Sequence, residues 1–102
     1  MKIELLYFDD CPNFEQLLPK LQKLVDEHAP GNRVELKRVA SPTAARQENF
    51  LGSPTVRVDG KDVEPAASTR SDFGLKCRLY RGAGQQFDMP AEEWIIEALR
   101  HK

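Results

Sequence analysis

The order in which the hydrophobic period changes over the first 51 residues constrains this chain more than any other feature. Residues 2–8 (KIELLYF) are short, apolar and β-prone and stop at Asp9-Asp10, which reads as a strand. Leu5 and Leu6 are both apolar, as in a strand buried on both faces. Phe14, Leu17, Leu18, Leu21, Leu24 and Val25 then recur at spacings of three and four, the period of a helix that runs out near Ala29-Pro30-Gly31. Residues 33–39 alternate again, with Val34, Leu36 and Val39 between charges, and Ser41-Pro42 opens a short helix over 42–50. Strand, helix, strand, helix in that order predicts parallel strands joined by crossover helices.

The pattern changes at 53–63 (SPTVRVDGKDV). Val56 and Val58 alternate with polar residues, and Asp59-Gly60 is a strong two-residue hairpin turn, so this half is expected to be antiparallel. Residues 64–76 show no usable period and read as loop, 77–80 (CRLY) as a short strand and 81–86 (RGAGQQ) as loop. The last helix is expected over 90–101. Pro90 opens it, Glu92 and Glu93 fill its first turn, and Arg100, His101 and Lys102 close it, a charge order that complements the helix dipole. Trp94, Ile95, Ala98 and Leu99 form its apolar face, and Trp94 is most simply core. The expectation is one α/β domain over residues 1–102, β-α-β-α-β-β-α, with a central mixed sheet flanked by helices.

Pro12 suits the first position of a helix, which makes Cys11 the expected N-cap. Pro19 sits inside that helix and breaks a local rule, at a cost of roughly 3 kcal/mol unless the fold accommodates it, by a bend or by two shorter helices meeting.

A first strand, Cys11-Pro12 at a helix start, a second strand and helix, then Ser53-Pro54-Thr55 before a hairpin together resemble the thioredoxin-like superfamily. Pro19, eight residues after Cys11, falls where many members kink their first helix. YFDDCPNF with a later CRLY is also similar to a group of small bacterial thioredoxin-like proteins, labelled alkylmercury-lyase-like or grouped with DF-type selenoproteins. The resemblance covers residues 1–63 and the C-terminal helix. It implies a cis peptide before Pro54, with that loop facing Cys11, and substrate contacts from Pro12, Ser53, Pro54 and Thr55. One departure matters: the family motif is Cys-x-x-Cys, and here it reads Cys11-Pro12-Asn13-Phe14. Exchange within the motif itself is therefore ruled out.

Cys11 and Cys77 are the candidate catalytic residues. A helix N-terminus favours thiolate at Cys11, whereas Asp9 and Asp10 oppose it, so a moderately reactive thiol is expected. Against this stands the simpler reading that Cys11 only caps a helix. Cys77 either resolves an intermediate on Cys11, replacing the missing motif cysteine, or is a buried structural cysteine of the CRLY strand. Two facing thiols would also suit a soft ion such as Hg(II) or Cu(I). Arg70, Arg78 and Arg81 flank the unexplained loop and could meet an anionic substrate, although a solvated face is the plainer reading. His28 and His101 read as dipole partners near helix ends, and no His-Cys spacing suits a structural zinc.

A net charge of −1, with both signs mixed along the chain, argues against a nucleic-acid surface, and the apolar runs are too short for a membrane span. Two cysteines are too few for a disulfide-stapled secreted module, and MKIELLYFDD does not read as a signal peptide; a cytoplasmic protein with resting thiols is expected. The sequence thus points to a thiol-based redox protein that uses Cys11, with Cys77 or an external thiol as resolving partner, a thiol or disulfide substrate, no cofactor and no dedicated metal site. The alternative is a non-catalytic binding module for soft metals, organomercury or a protein partner.

Overall fold

The computed structural model describes residues 1–82 and 85–100. Its elements in chain order are β1 (Ile3–Tyr7), α1 (Asn13–His28), β2 (Val34–Arg38), α2 (Pro42–Gln47), β3 (Thr55–Val58) and β4 (Lys61–Asp62), followed by a 3-10 turn (Pro65–Thr69), β5 (Tyr80–Gly82), β6 (Gln85–Phe87) and α3 (Glu92–Arg100). β1 to β4 form one mixed sheet in the order β2-β1-β3-β4. β1 runs parallel to β2 and antiparallel to β3, and β3 runs antiparallel to β4.

Period-two alternation on β1 sends side chains to two separate cores. Ile3 and Leu5 join Val56 and Val58 of β3 beneath Leu17, Leu21 and Val25 of α1 and Ile95 and Leu99 of α3. Leu6 points the other way and meets Val39, Ala45 of α2 and Phe50. Ile3, Leu5 and Leu6 are all fully buried, each contributing roughly 1.5–3 kcal/mol of hydrophobic stabilisation. β2 is an edge strand, and Leu36, expected to be apolar packing, is instead 50% exposed there.

Several local expectations need correction. α1 is one continuous helix through Pro19, which removes the alternative of two shorter helices meeting there. Pro19 lies on its exposed face, as does Glu15, whose carbonyl loses the Pro19 partner and can be solvated instead. Its N-cap is Pro12, whose carbonyl accepts from the Glu15 N–H, so Cys11 stands one residue outside the cap. α2 ends at Gln47, earlier than the apolar pair Phe50-Leu51 suggested. Asn49 adopts a left-handed φ of 54°, the Phe50 N–H reaches Ala45 O and the Asn49 N–H reaches Arg46 O, a Schellman closure. The region 64–76 contains the 3-10 turn, and the 81–86 segment takes part in a β5-β6 hairpin, with residues 83 and 84 outside the described residues. Position 101, proposed as the end of α3, and with it His101, also lies outside the described residues.

The Asp59-Gly60 turn joins β3 to β4 with positive φ at both residues, the conformation such a tight hairpin requires. Trp94 is only half-buried, packed against the larger core with its ring 6.1 Å from that of Tyr80. Among the described residues no helix is long and apolar enough to cross a membrane.

Candidate functional site

Cys11 and Cys77, expected to rest as thiols, are instead joined by a disulfide, with Cα atoms 5.6 Å apart across 66 residues of chain. Three pieces of backbone converge on it: the β1–α1 turn, the cis Ser53-Pro54 peptide before β3, and residues 74–80. In the first, the Cys11 N–H donates to Phe8 O at 3.3 Å, and Tyr7 stacks on Phe14 with ring centroids 4.1 Å apart. Phe14, in the place of a second motif cysteine, thus clamps α1 onto β1. Asp9 pairs with Arg38 at 2.5 Å, so this negative charge near Cys11 is compensated. Contact with Asp9 holds the Arg38 guanidinium above its ordinary value.

The third segment is held independently of the sulfurs. The Ser53 N–H donates to Lys76 O at 2.8 Å and the Arg78 N–H to Ser53 O at 2.9 Å, a parallel bridge centred on Ser53 and Cys77. The Gly74 N–H adds a bond to Phe50 O. Cys77 is therefore not within a strand, as CRLY suggested; the strand begins only at Tyr80. Nor is it buried: Cys77 is exposed, whereas Cys11 is 0% exposed with its Sγ 3.5 Å from Ser53 O.

Arg78 lies beneath this bridge. Expected on a solvated face, it is fully buried, because three acceptors converge on its guanidinium. Asp62 accepts two bonds at 2.7 and 3.1 Å, Glu64 one at 2.7 Å and Thr55 Oγ1 one at 2.9 Å, while the guanidinium carbon sits 4.3 Å from the Tyr80 ring centre. Burial works against the Arg78 charge, but Tyr80, Asp62 and Glu64 outweigh that cost and hold it above the ordinary arginine value. Arg70 is also occupied, pairing with Glu64 and Asp72. Arg81 lies in β5.

Tyr80 closes the site from below, its hydroxyl donating to Pro54 O. Burial drives its phenol well above the usual tyrosine range. A raised folded-state pKa adds stability that is fully present below the unfolded value and is lost as pH rises past it. Stability should therefore fall above about pH 10, the free tyrosine value. Tyr80→Phe is expected to remove that component of the alkaline decline and to cost about 1 kcal/mol at neutral pH for the lost hydrogen bond. Melting curves of both proteins from neutral to strongly alkaline pH check this; parallel declines would contradict it.

Of the residues assigned to substrate contact, Pro12 is exposed, whereas Ser53, Pro54 and Thr55 are buried. The backbone of Ser53 is consumed by the bridge, and Thr55 Oγ1 donates to Gly52 O while accepting from Arg78. Among the described residues Ser53 Oγ is buried without a hydrogen-bond partner. Gly52, which in the sequence reads only as part of the end of the second helix, belongs to the site. It adopts a φ of +124°, and a Cβ there would lie 2.9 Å from both Arg78 Cβ and Lys76 O. Gly52 is what lets the Cys77 segment approach. Gly52→Ala should destabilise by more than about 1 kcal/mol and slow reoxidation of the reduced protein, read from thiol loss after reductant removal. Unchanged reoxidation would show that close approach at Gly52 does not position Cys77.

Among the described residues no group of three or more His, Cys, Asp and Glu is placed to hold a metal ion. Comparison with protein-family models, with curated proteins and with solved structures gives no significant match. The site defines an α/β protein with one disulfide at the end of a parallel-antiparallel sheet.

Proposed function

We propose that this chain is a thioredoxin-like thiol–disulfide protein whose working unit is the Cys11–Cys77 pair. The observation that carries the reading is the bond between these two sulfurs beside the cis Ser53-Pro54 peptide. The strand order β2-β1-β3-β4 and the helices on both faces of the sheet support the same reading. Cys77 supplies the second sulfur that Phe14 cannot, whichever of the two meets substrate first. Because the backbone bridge and Arg78 hold residues 76–78 without help from the sulfurs, reduction leaves the two thiols facing each other. That keeps their effective concentration high and makes the pair a reversible two-electron couple.

The test is turnover of glutathione disulfide and insulin disulfides by the reduced protein, with the Cys11→Ser/Cys77→Ser double variant as reference. Loss of turnover in the double variant is expected; equal rates would end the proposal. The same juxtaposition favours one other reading, capture of a soft ion by the reduced pair. In that case both thiols disappear together with one equivalent of Hg(II), and no disulfide is turned over.

A further inference from the structure

We infer that Cys77, rather than the helix-start Cys11, is the sulfur at which substrate enters, and that Cys11 is the internal resolving thiol. The inference rests on the dithiol reading above and assigns the polarity of its two sulfurs. Access decides which sulfur of a disulfide is attacked, and the attacking sulfur must approach in line, opposite the one that leaves. At Cys11 that approach would come through the protein, since the residue is completely buried. Cys77 is exposed and lines an open pocket with Ala66, Arg70, Asp72, Lys76 and Leu79, the last 51% exposed.

The chemistry around the two sulfurs points the same way. Cys11 Sγ lies 3.5 Å from the buried Ser53 O, on the protein side of the bond. Around Cys77 the charges are balanced internally: Glu64, which also lines the pocket, pairs with Arg70, and Lys76 and Arg70 both pair with Asp72. Those two contacts, Arg70 first, hold the Asp72 carboxyl well below the usual carboxylate range. The rim therefore offers Leu79 and Ala66 beside a neutralised ion-pair chain, a surface suited to a peptide-borne disulfide more than to a small anion.

In the forward direction the Cys77 thiolate attacks one sulfur of the substrate disulfide. A Cys77–substrate bond forms, and the first substrate thiolate leaves and takes a proton from water. Cys11 then gives up its proton to water and attacks Cys77 Sγ. The Cys11–Cys77 bond re-forms as the mixed disulfide breaks, and the second substrate thiolate leaves and is protonated. Two electrons have passed from the protein dithiol to the substrate.

The reduced wild-type protein, treated with substoichiometric iodoacetamide and mapped by peptide mass, should carry label at Cys77 in roughly tenfold excess over Cys11. Equal labelling, or labelling first at Cys11, overturns the assignment. With glutathione disulfide as probe, Cys11→Ser should accumulate a stable adduct on Cys77, while Cys77→Ser, shown folded by circular dichroism, should form none; the reverse pattern also overturns it. Should the wild type exchange no disulfide and yet label first at Cys77, the functional reading fails while the order of the sulfurs stands.

Discussion

Reducing the Cys11–Cys77 bond is expected to lower the melting temperature by roughly 15–30 °C while leaving the fold intact at room temperature. The bond spans 66 residues, most of the chain. In the chain-entropy account, a loop of that length removes about 4 kcal/mol worth of freedom from the unfolded ensemble. For a domain of this size, each kcal/mol moves Tm by about 4–8 °C. Against a total stability of about 5–15 kcal/mol, the loss is large but need not be fatal. Native structure is expected to persist because the cores on both faces of the sheet and the Ser53–Cys77 bridge do not depend on the bond. Thermal melts with and without a phosphine reductant, with the Cys11→Ser/Cys77→Ser double variant as control, measure the shift. A change of only a few degrees would mean that the bond does not constrain the unfolded chain.

Replacing Arg78 should be comparably costly. Arg78→Met removes a fully buried cation from Asp62, Glu64 and Thr55, and leaves Glu64, itself only 6% exposed, with Arg70 as its remaining cation. Breaking a buried pair in this way typically costs about 3–5 kcal/mol. Arg78→Lys should recover little, since a single ammonium cannot reproduce the forked contacts to two carboxylates and a hydroxyl. Adding Asp62→Asn and Glu64→Gln to Arg78→Met should restore part of the loss by removing the uncompensated charge. Urea unfolding is the measurement: the midpoint should fall while the slope stays near the wild-type value. A loss below about 1 kcal/mol for Arg78→Met would place the guanidinium at a solvated surface instead.

These two effects bear on the site as well as on stability. Arg78 follows Cys77 directly, and its network anchors the segment that carries the exposed sulfur. Weakening it should leave Cys77 less well presented to Cys11, so slower reoxidation is expected alongside the lost stability.

By itself, the sequence determined the sheet and the helices on its two faces, because these rest on short-range chemistry. The adjacent leucines of β1, the three-four spacing from Phe14 to Val25 and the Asp59-Gly60 turn each act within a few residues. The Cys11-Pro12 junction and the Ser53-Pro54 loop were legible as features of a candidate site for the same reason. Only the tertiary structure decided how that site is arranged. Nothing in CRLY signals that a backbone bridge to Ser53 brings Cys77 within bonding distance of Cys11, or that Gly52 leaves room for it. Exposure was likewise not local. Arg78 is buried because two acidic residues from a separate hairpin reach it, and Cys11 is buried because residues 53 and 77 close over it. A cysteine at the start of a helix announces a site, but which sulfur faces the solvent is set by contacts between segments far apart in the chain.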